Sequence, residues 1–314
     1  MARKAGRNEP TVFPDKAIFM LVEDAAVPKA GLSDMSKQRL AMAIQVLREH
    51  HPMTVRQVYY QLVARQIIPN KQTMYNAVSI LLRDARKSGA IPWEWIEDRL
   101  RRPRSVSMWS DLSHFADTVR RSYRRDVWAT QPAYVEVWLE KDALSGIFED
   151  VLSEYGVTLN VGRGFDGWDS IRNAGDRYIE HGGVTILYFG DFDPSGEDMV
   201  RSLRERIDEY LEIADEPFGN GVVDVEIIKC ALTAADIARY KLPSDFAKKT
   251  DSRAKKFIAK HGDVSVELDA LPVAVLRDRL VSEVAARLDL NALAKVKEAE
   301  ETERVRLVEL LTAA

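Results

Sequence analysis

Apolar residues in the first third of the chain recur at helical spacing. Leu40, Ile44 and Leu47 predict a helix from Ser36 to about His51, which Pro52 stops. A second helix follows at once: Thr54 and Gln57 form a capping-box pair, and Val55, Val58, Tyr59, Leu62 and Val63 make one stripe that ends near Ile68 and Pro69. A third, capped by Thr73, buries Val78, Leu81, Leu82 and Ala85 and ends at Gly89. Three helices followed by Ile91, Pro92, Trp93 and Trp95 predict a helix-turn-helix with a short wing over residues 36–126. Residues 1–35, with Pro10, Pro14, Pro28 and Gly31 and little periodicity, are expected to form an N-terminal arm.

The pattern changes after Pro132. Strands are predicted over Tyr134–Leu139, Val157–Val161, Val184–Phe189 and Val222–Ile228, and helices over Ala143–Tyr155, Trp168–Ile179 and Glu197–Leu211. This alternation predicts an α/β fold for residues 127–230, a parallel sheet with helices on both faces. Residues 231–314 read as a mostly helical extension ending in a charged helix from Leu290 to Leu311.

Composition narrows the class. Of 314 residues, 46% are hydrophobic and 30% charged, which excludes collagen-like and wholly disordered chains and suits more than one domain. No apolar run approaches about 18 residues, and Met1–Pro10 is polar, so neither a membrane span nor a secretory signal is expected and a cytoplasmic location is. The one cysteine, Cys230, with five histidines supports neither an internal disulfide nor a Cys/His zinc site, so any metal is expected to be held by oxygen.

Charge is distributed unevenly. Residues 1–126 carry 22 Lys and Arg against 13 Asp and Glu, a balance of +9, whereas residues 127–314 carry 23 against 36, a balance of −13. A basic module joined to an acidic one suggests a polyanion-binding half, with a solvated surface as the plainer reading. The third helix shows Arg83, Arg86 and Lys87 on faces away from its apolar stripe, and the tract after it, Arg99, Arg101, Arg102 and Arg104 with a second cluster at Arg120, Arg121, Arg124 and Arg125, stands beside that helix and is expected to contact phosphate.

Three acids fall at strand ends. Glu140 follows the first strand, and Asp191 and Asp193 follow the third. Neighbouring parallel strands lie about 4.8 Å apart, so these carboxylates are expected to converge on one Mg²⁺ or Mn²⁺ ion that offsets their mutual repulsion. Taken singly, Asp193 reads as a helix cap and Glu140 as an ion-pair partner. Gly162, Gly164 and Gly167 form a G-x-G-x-x-G, but it follows the second strand, carries Arg163 and Asp166 within it and stands beside an acidic rim; a loop-shaping role is expected rather than a dinucleotide site. Tyr59 lies on the apolar stripe of its helix, whereas Tyr60, about 100° further round and one turn from Arg56, is expected to direct its hydroxyl out of the core.

With Glu140-Lys141-Asp142-Ala143 after one strand and Asp191-Phe192-Asp193-Pro194-Ser195-Gly196 after a later one, the second half resembles a Toprim domain. Together with Arg56-Gln57-Val58-Tyr59-Tyr60, which matches an R-x-[IV]-Y-Y motif, the chain is similar to the family of the topoisomerase VI A subunit and the meiotic double-strand-break transesterase, in a compact, standalone form. The resemblance spans roughly residues 40–230. It implies an N-terminal winged helix, a Toprim core and Mg²⁺-dependent cleavage of double-stranded DNA in which a tyrosine attacks a phosphodiester and stays attached to one end. It further implies Tyr60 as nucleophile, Arg56 as phosphate or phenolate stabiliser, Glu140, Asp191 and Asp193 as metal ligands, with Glu140 also catalytic, and Arg83, Arg86 and Lys87 as groove and backbone contacts to DNA. A homodimer, in which one subunit's tyrosine meets the other's metal, and an ATPase partner are the associations it suggests. Two other readings stay open: a hydrolytic Toprim nuclease with structural tyrosines, and a non-catalytic winged-helix DNA-binding protein. Asp251, Arg253, Glu267 and Asp269 carry no assigned role beyond surface pairing or caps.

Overall fold

A computed structural model describes residues 32–97, 106–162, 167–215, 223–245 and 251–312. They form eleven helices and one four-stranded, all-parallel sheet: α1 (Asp34–His50), α2 (Val55–Ala64), α3 (Gln72–Lys87), α4 (Leu112–Ser122), β1 (Val135–Leu139), α5 (Ser145–Leu152), β2 (Thr158–Val161), α6 (Trp168–His181), β3 (Gly183–Phe189), α7 (Pro194–Asp215), β4 (Asp224–Ala231), α8 (Ala234–Tyr240), α9 (Ala254–His261), α10 (Val273–Ala285) and α11 (Leu290–Thr312). Among the described residues no helix is long and apolar enough to cross a membrane. The chain forms two compact units, neither contiguous in sequence. The first takes the described residues of 32–97, 191–195 and 232–276; the second takes those of 106–190, 196–231 and 277–312.

In the first unit α1, α2 and α3 bury Leu40, Ile44, Leu47, Val58, Tyr59, Leu62, Val78, Leu82 and Ala85, so the three helical stripes meet in one core. After α3, Met53 and Ile96 make a single parallel bridge and Trp93–Trp95 a short 3-10 turn. Three helices are present as expected; beyond that bridge the described residues hold no ladder at the expected wing. The start of α3 differs from expectation. Its N-cap is Lys71, with no side-chain cap bond, and Thr73 lies inside the first turn. A tertiary contact overrides local capping here, because the Lys71 backbone N–H donates to the Tyr59 hydroxyl at 2.8 Å. Residues 232–276 complete the unit, paired to Phe192 through Val266 and folded back through the Asp245–Ser265 bridge.

In the second unit the strand order is β2-β1-β3-β4. Every residue of β1 is buried, as a central parallel strand covered on both faces requires. Tyr134, Trp138, Ile186 and Tyr188 pack with Ile171, Ala174 and Tyr178 of α6 and Met199, Leu203 and Ile207 of α7. On α5, Ile147, Phe148, Val151 and Leu152 are buried, and the Phe148 ring meets Phe189 edge-on at 4.9 Å. The chain runs from β1 outward to β2 and then returns to the other side of β1 for β3. The order therefore reverses between β1 and β3, which is where parallel sheets leave a crevice beyond the strand ends.

Candidate functional site

The capping box forms as the spacing predicts: the Thr54 backbone N–H donates to Gln57 Oε1 at 2.6 Å and the Gln57 N–H donates to Thr54 Oγ1 at 3.3 Å. This anchors α2, which carries Arg56, Tyr59 and Tyr60 one turn into the first unit. Tyr59 is a packing residue that also donates its hydroxyl to Asn70 Oδ1 at 2.9 Å.

Tyr60 departs from expectation. It is only 7% exposed, so its hydroxyl does not leave the core. Helix geometry alone sent it outward, but the 3-10 turn Leu268–Ala270 packs against α2 and supplies a cover from more than two hundred residues away. Arg56 Nη2 lies 2.5 Å from Glu267 Oε2, its Nε 3.4 Å from Asp269 Oδ2, and its guanidinium 5.7 Å from the centre of the Tyr60 ring.

The electrostatics follow from this contact set. Burial raises the Tyr60 phenol well above the ordinary tyrosine value, and the charges of Glu267 and Asp269 raise it further against the opposing pull of Arg56. Burial opposes the charge on Arg56, but Asp269 and Glu267 outweigh it and keep the guanidinium protonated. Arg56 is thus engaged by two acids before any phosphate arrives, and Tyr60 is a neutral phenol.

The same turn engages the D-x-D motif. Asp191 Oδ1 accepts the Leu268 backbone N–H at 2.7 Å, and Phe192 exchanges both backbone hydrogen bonds with Val266 at 2.9 Å. Phe192 is buried and its ring lies 5.3 Å from that of Phe257. Asp193 Oδ1 accepts the Ser195 hydroxyl at 2.8 Å. One short segment therefore links Tyr60, Arg56 and Asp191 within the first unit.

In the second unit Glu140 sits at the carboxyl end of β1, its backbone N–H donating to Phe189 O at 2.9 Å. Gly190 leaves room for it: a Cβ there would meet Glu140 Oε2 at 2.6 Å and Tyr188 Cε1 at 2.6 Å. Donor type suits a hard cation, since every candidate ligand is a carboxylate oxygen. Among the described residues, however, no three Asp, Glu, His or Cys side chains are gathered closely enough to hold an ion.

The basic residues divide. Arg83 pairs with Asp84 at 2.8 Å and is exposed, as is Lys87. Arg86 is a strut: its guanidinium lies 4.4 Å from the centre of the Trp93 ring and donates to the carbonyls of Trp93 and Ile96 at 3.0 Å each. Arg101 and Arg102 lie outside the described residues, as do Arg99 and Arg104. Arg120 and Arg121 pair with Asp117, and Arg125 lies 2.6 Å from Glu303 of α11, so much of this tract is neutralised by acids of its own unit. Gly164 also lies outside the described residues, while Gly162 donates to Leu139 O at 2.8 Å and Gly167 is the N-cap of α6.

Glu267 and Asp269 are the site residues that sequence reasoning left unassigned. The available signal was an acid inside the apolar run Leu268-Asp269-Ala270-Leu271, all of which is buried. Asp251 and Arg253, by contrast, pair locally at 2.9 Å. No protein-family model matches the chain, and no curated protein matches it.

Proposed function

We propose that this chain is a DNA-cleaving enzyme dependent on Mg²⁺ or Mn²⁺, as its similarity to the topoisomerase VI A subunit implies. The observation that carries the reading is the position of the acids. Glu140 and the Asp191-Phe192-Asp193 motif issue from β1 and β3, the two strands that flank the reversal of strand order. Glu140, Asp191 and Asp193 are the proposed ligands; a divalent ion there would balance charge on a transferring phosphoryl group. Tyr60 is the proposed nucleophile and Arg56, once released from its acids, the phosphate contact. The three-helix module, read as a winged helix with its wing around Ile91–Ile96, would lie on duplex DNA through exposed Arg83 and Lys87, with Arg101 and Arg102 as further contacts. The family further suggests a homodimer and an ATPase partner.

A second reading, hydrolytic cleavage by metal-activated water, is favoured by the burial of Tyr60 and the engagement of Arg56. The two separate in one assay. Linear and supercoiled duplex DNA is incubated with the full chain and Mg²⁺ or Mn²⁺, quenched in detergent and examined for protein joined to a 5′ end. Tyrosine attack predicts an adduct that Tyr60→Phe abolishes and that Asp193→Asn reduces with cleavage. Cutting without an adduct, unchanged in Tyr60→Phe, selects water as nucleophile. Binding without metal-dependent cutting overturns both.

A further inference from the structure

The turn that follows α3 holds an exposed aromatic ring in a fixed setting. We infer that the ring of Trp93 is a stacking platform for a nucleobase turned out of the duplex, so that the preferred substrate class is duplex DNA carrying an unpaired base. The inference rests on the reading of the three-helix module as the DNA-binding part of the chain and adds to it a contact that tells one DNA from another.

Trp93 opens the 3-10 turn Trp93–Trp95 and is 58% exposed. A single exposed tryptophan needs no explanation on a surface, but this one is held in place. The Arg86 guanidinium lies over one face of its ring, 4.4 Å from the centre, and donates to the carbonyls of Trp93 and Ile96 at 3.0 Å each. The Met53 N–H donates to Trp95 O and the Glu97 N–H to Met53 O, both at 3.0 Å, and the Trp95 ring stacks on His51 at 4.9 Å with 2° between the planes. The turn is thus tied to α3 on one side and to the residues before α2 on the other, and the buried side chains of Ile91 and Ile96 pin both its ends to the core. A flat ring with one face covered and more than half of its residue exposed presents the opposite face to solvent.

Charge and shape select the occupant. The exposed residues of α3 include one stripe, Gln72, Asn76, Ile80, Arg83 and Lys87, whose basic end falls in the last turns of the helix, beside the Arg86 that touches Trp93. Arg83 shares its charge with Asp84, which leaves Lys87 as the stronger attraction for a phosphate. Glu94, exposed next to Trp93, repels phosphate at the ring itself, so the ring's own partner is a flat uncharged surface and not the DNA backbone. Every base has such a face, and stacking on it reads the absence of a neighbour rather than a sequence. In an intact duplex that face is covered by the adjoining pairs, and uncovering it is least costly where the base is already unpaired. An apolar protein surface would cover the ring but leave Lys87 unmatched.

The test measures binding of the full chain, in chelator so that nothing is cut, to a fully paired duplex and to the same duplex carrying a single bulged 2-aminopurine, a fluorescent base. The expected result is tighter binding of the bulged duplex and a fall in the probe's emission as it stacks on the indole. Trp93→Ala should weaken binding of the bulged duplex alone by about 5- to 150-fold, the usual worth of one stacked base. Trp93→Phe, which keeps a ring for both Arg86 and the base, should recover part of that loss. Equal wild-type affinity for the two duplexes, a probe emission that rises or holds still, a Trp93→Ala loss of the same size on both duplexes, or a Trp93→Phe chain no better than Trp93→Ala overturns the role of Trp93 while leaving duplex binding by the module in place. A wild-type chain that binds neither duplex overturns both.

Discussion

Glu136 shows how far one side chain can depend on its neighbours. It stands in the middle of β1 with no exposure, yet accepts from Tyr134 at 2.8 Å, Tyr178 at 2.9 Å, Asn160 at 2.6 Å and Arg177 at 2.5 Å. Trp138 extends the network by donating to Tyr178 at 3.1 Å. Burial and the Glu136 charge push the Tyr134 hydroxyl up to about 12, so it remains a donor at any ordinary pH. Glu136→Ala strands these donors, and because Arg177 reaches water the expected loss is moderate for a buried ion pair, about 3 kcal/mol. Urea unfolding checks it; an unshifted midpoint would show the network to be dispensable. None of this was visible in Tyr134–Leu139, since one polar residue in a run of strand formers does not alter the reading of a strand. Tyr60 was opaque for a related reason: angular position on a helix says which side a residue faces, but not what covers that side.

Elements were far more legible than their surroundings. The alternation after Pro132 yields all four observed strands and the helices between them, because a buried parallel sheet demands continuous apolar runs while its covering helices demand a 3.6-residue stripe. Ends were less so: β4 runs on to Ala231, beyond the expected Ile228, through ladder pairing with β3 as far as Phe189. Pairing also explains the glycine that opens β3. A Cβ on Gly183 would lie 2.7 Å from the Asp224 carbonyl oxygen of β4, a backbone atom held by the ladder. Gly183→Ala should therefore destabilise by about 1–3 kcal/mol, lowering the denaturant midpoint at constant slope. A neutral or stabilising effect would mean that β4 yields at its first residue.

At the scale of the whole chain, the contrast between a basic first part and an acidic remainder survives but changes meaning. Arg125 is matched by Glu303, and Arg124 lies 4.0 Å from Glu300, so part of the basic tract serves folding of the second unit rather than a partner. Burial also gives the protein an alkaline limit. The Cys230 thiol is raised by burial to about 12, Tyr134 likewise, and Tyr60 and Tyr178 rise as well. Each is neutral in the fold and ionises earlier once unfolded. Their contribution is complete below about pH 9 and is lost between about 9 and 12, by up to about 1.4 kcal/mol per pH unit per group. Unfolding free energies measured from pH 7 to 10.5 should fall, and less steeply in Cys230→Ala; a flat profile would contradict the buried positions of these groups. The first unit is assembled from three separate stretches of chain, and this has a practical corollary for anyone dissecting the gene. Expressing only the amino-terminal 126 codons would yield a polypeptide bearing Tyr60 and Arg56 stripped of Glu267, Asp269 and Asp191, a fragment whose silence or activity would say little about the intact protein.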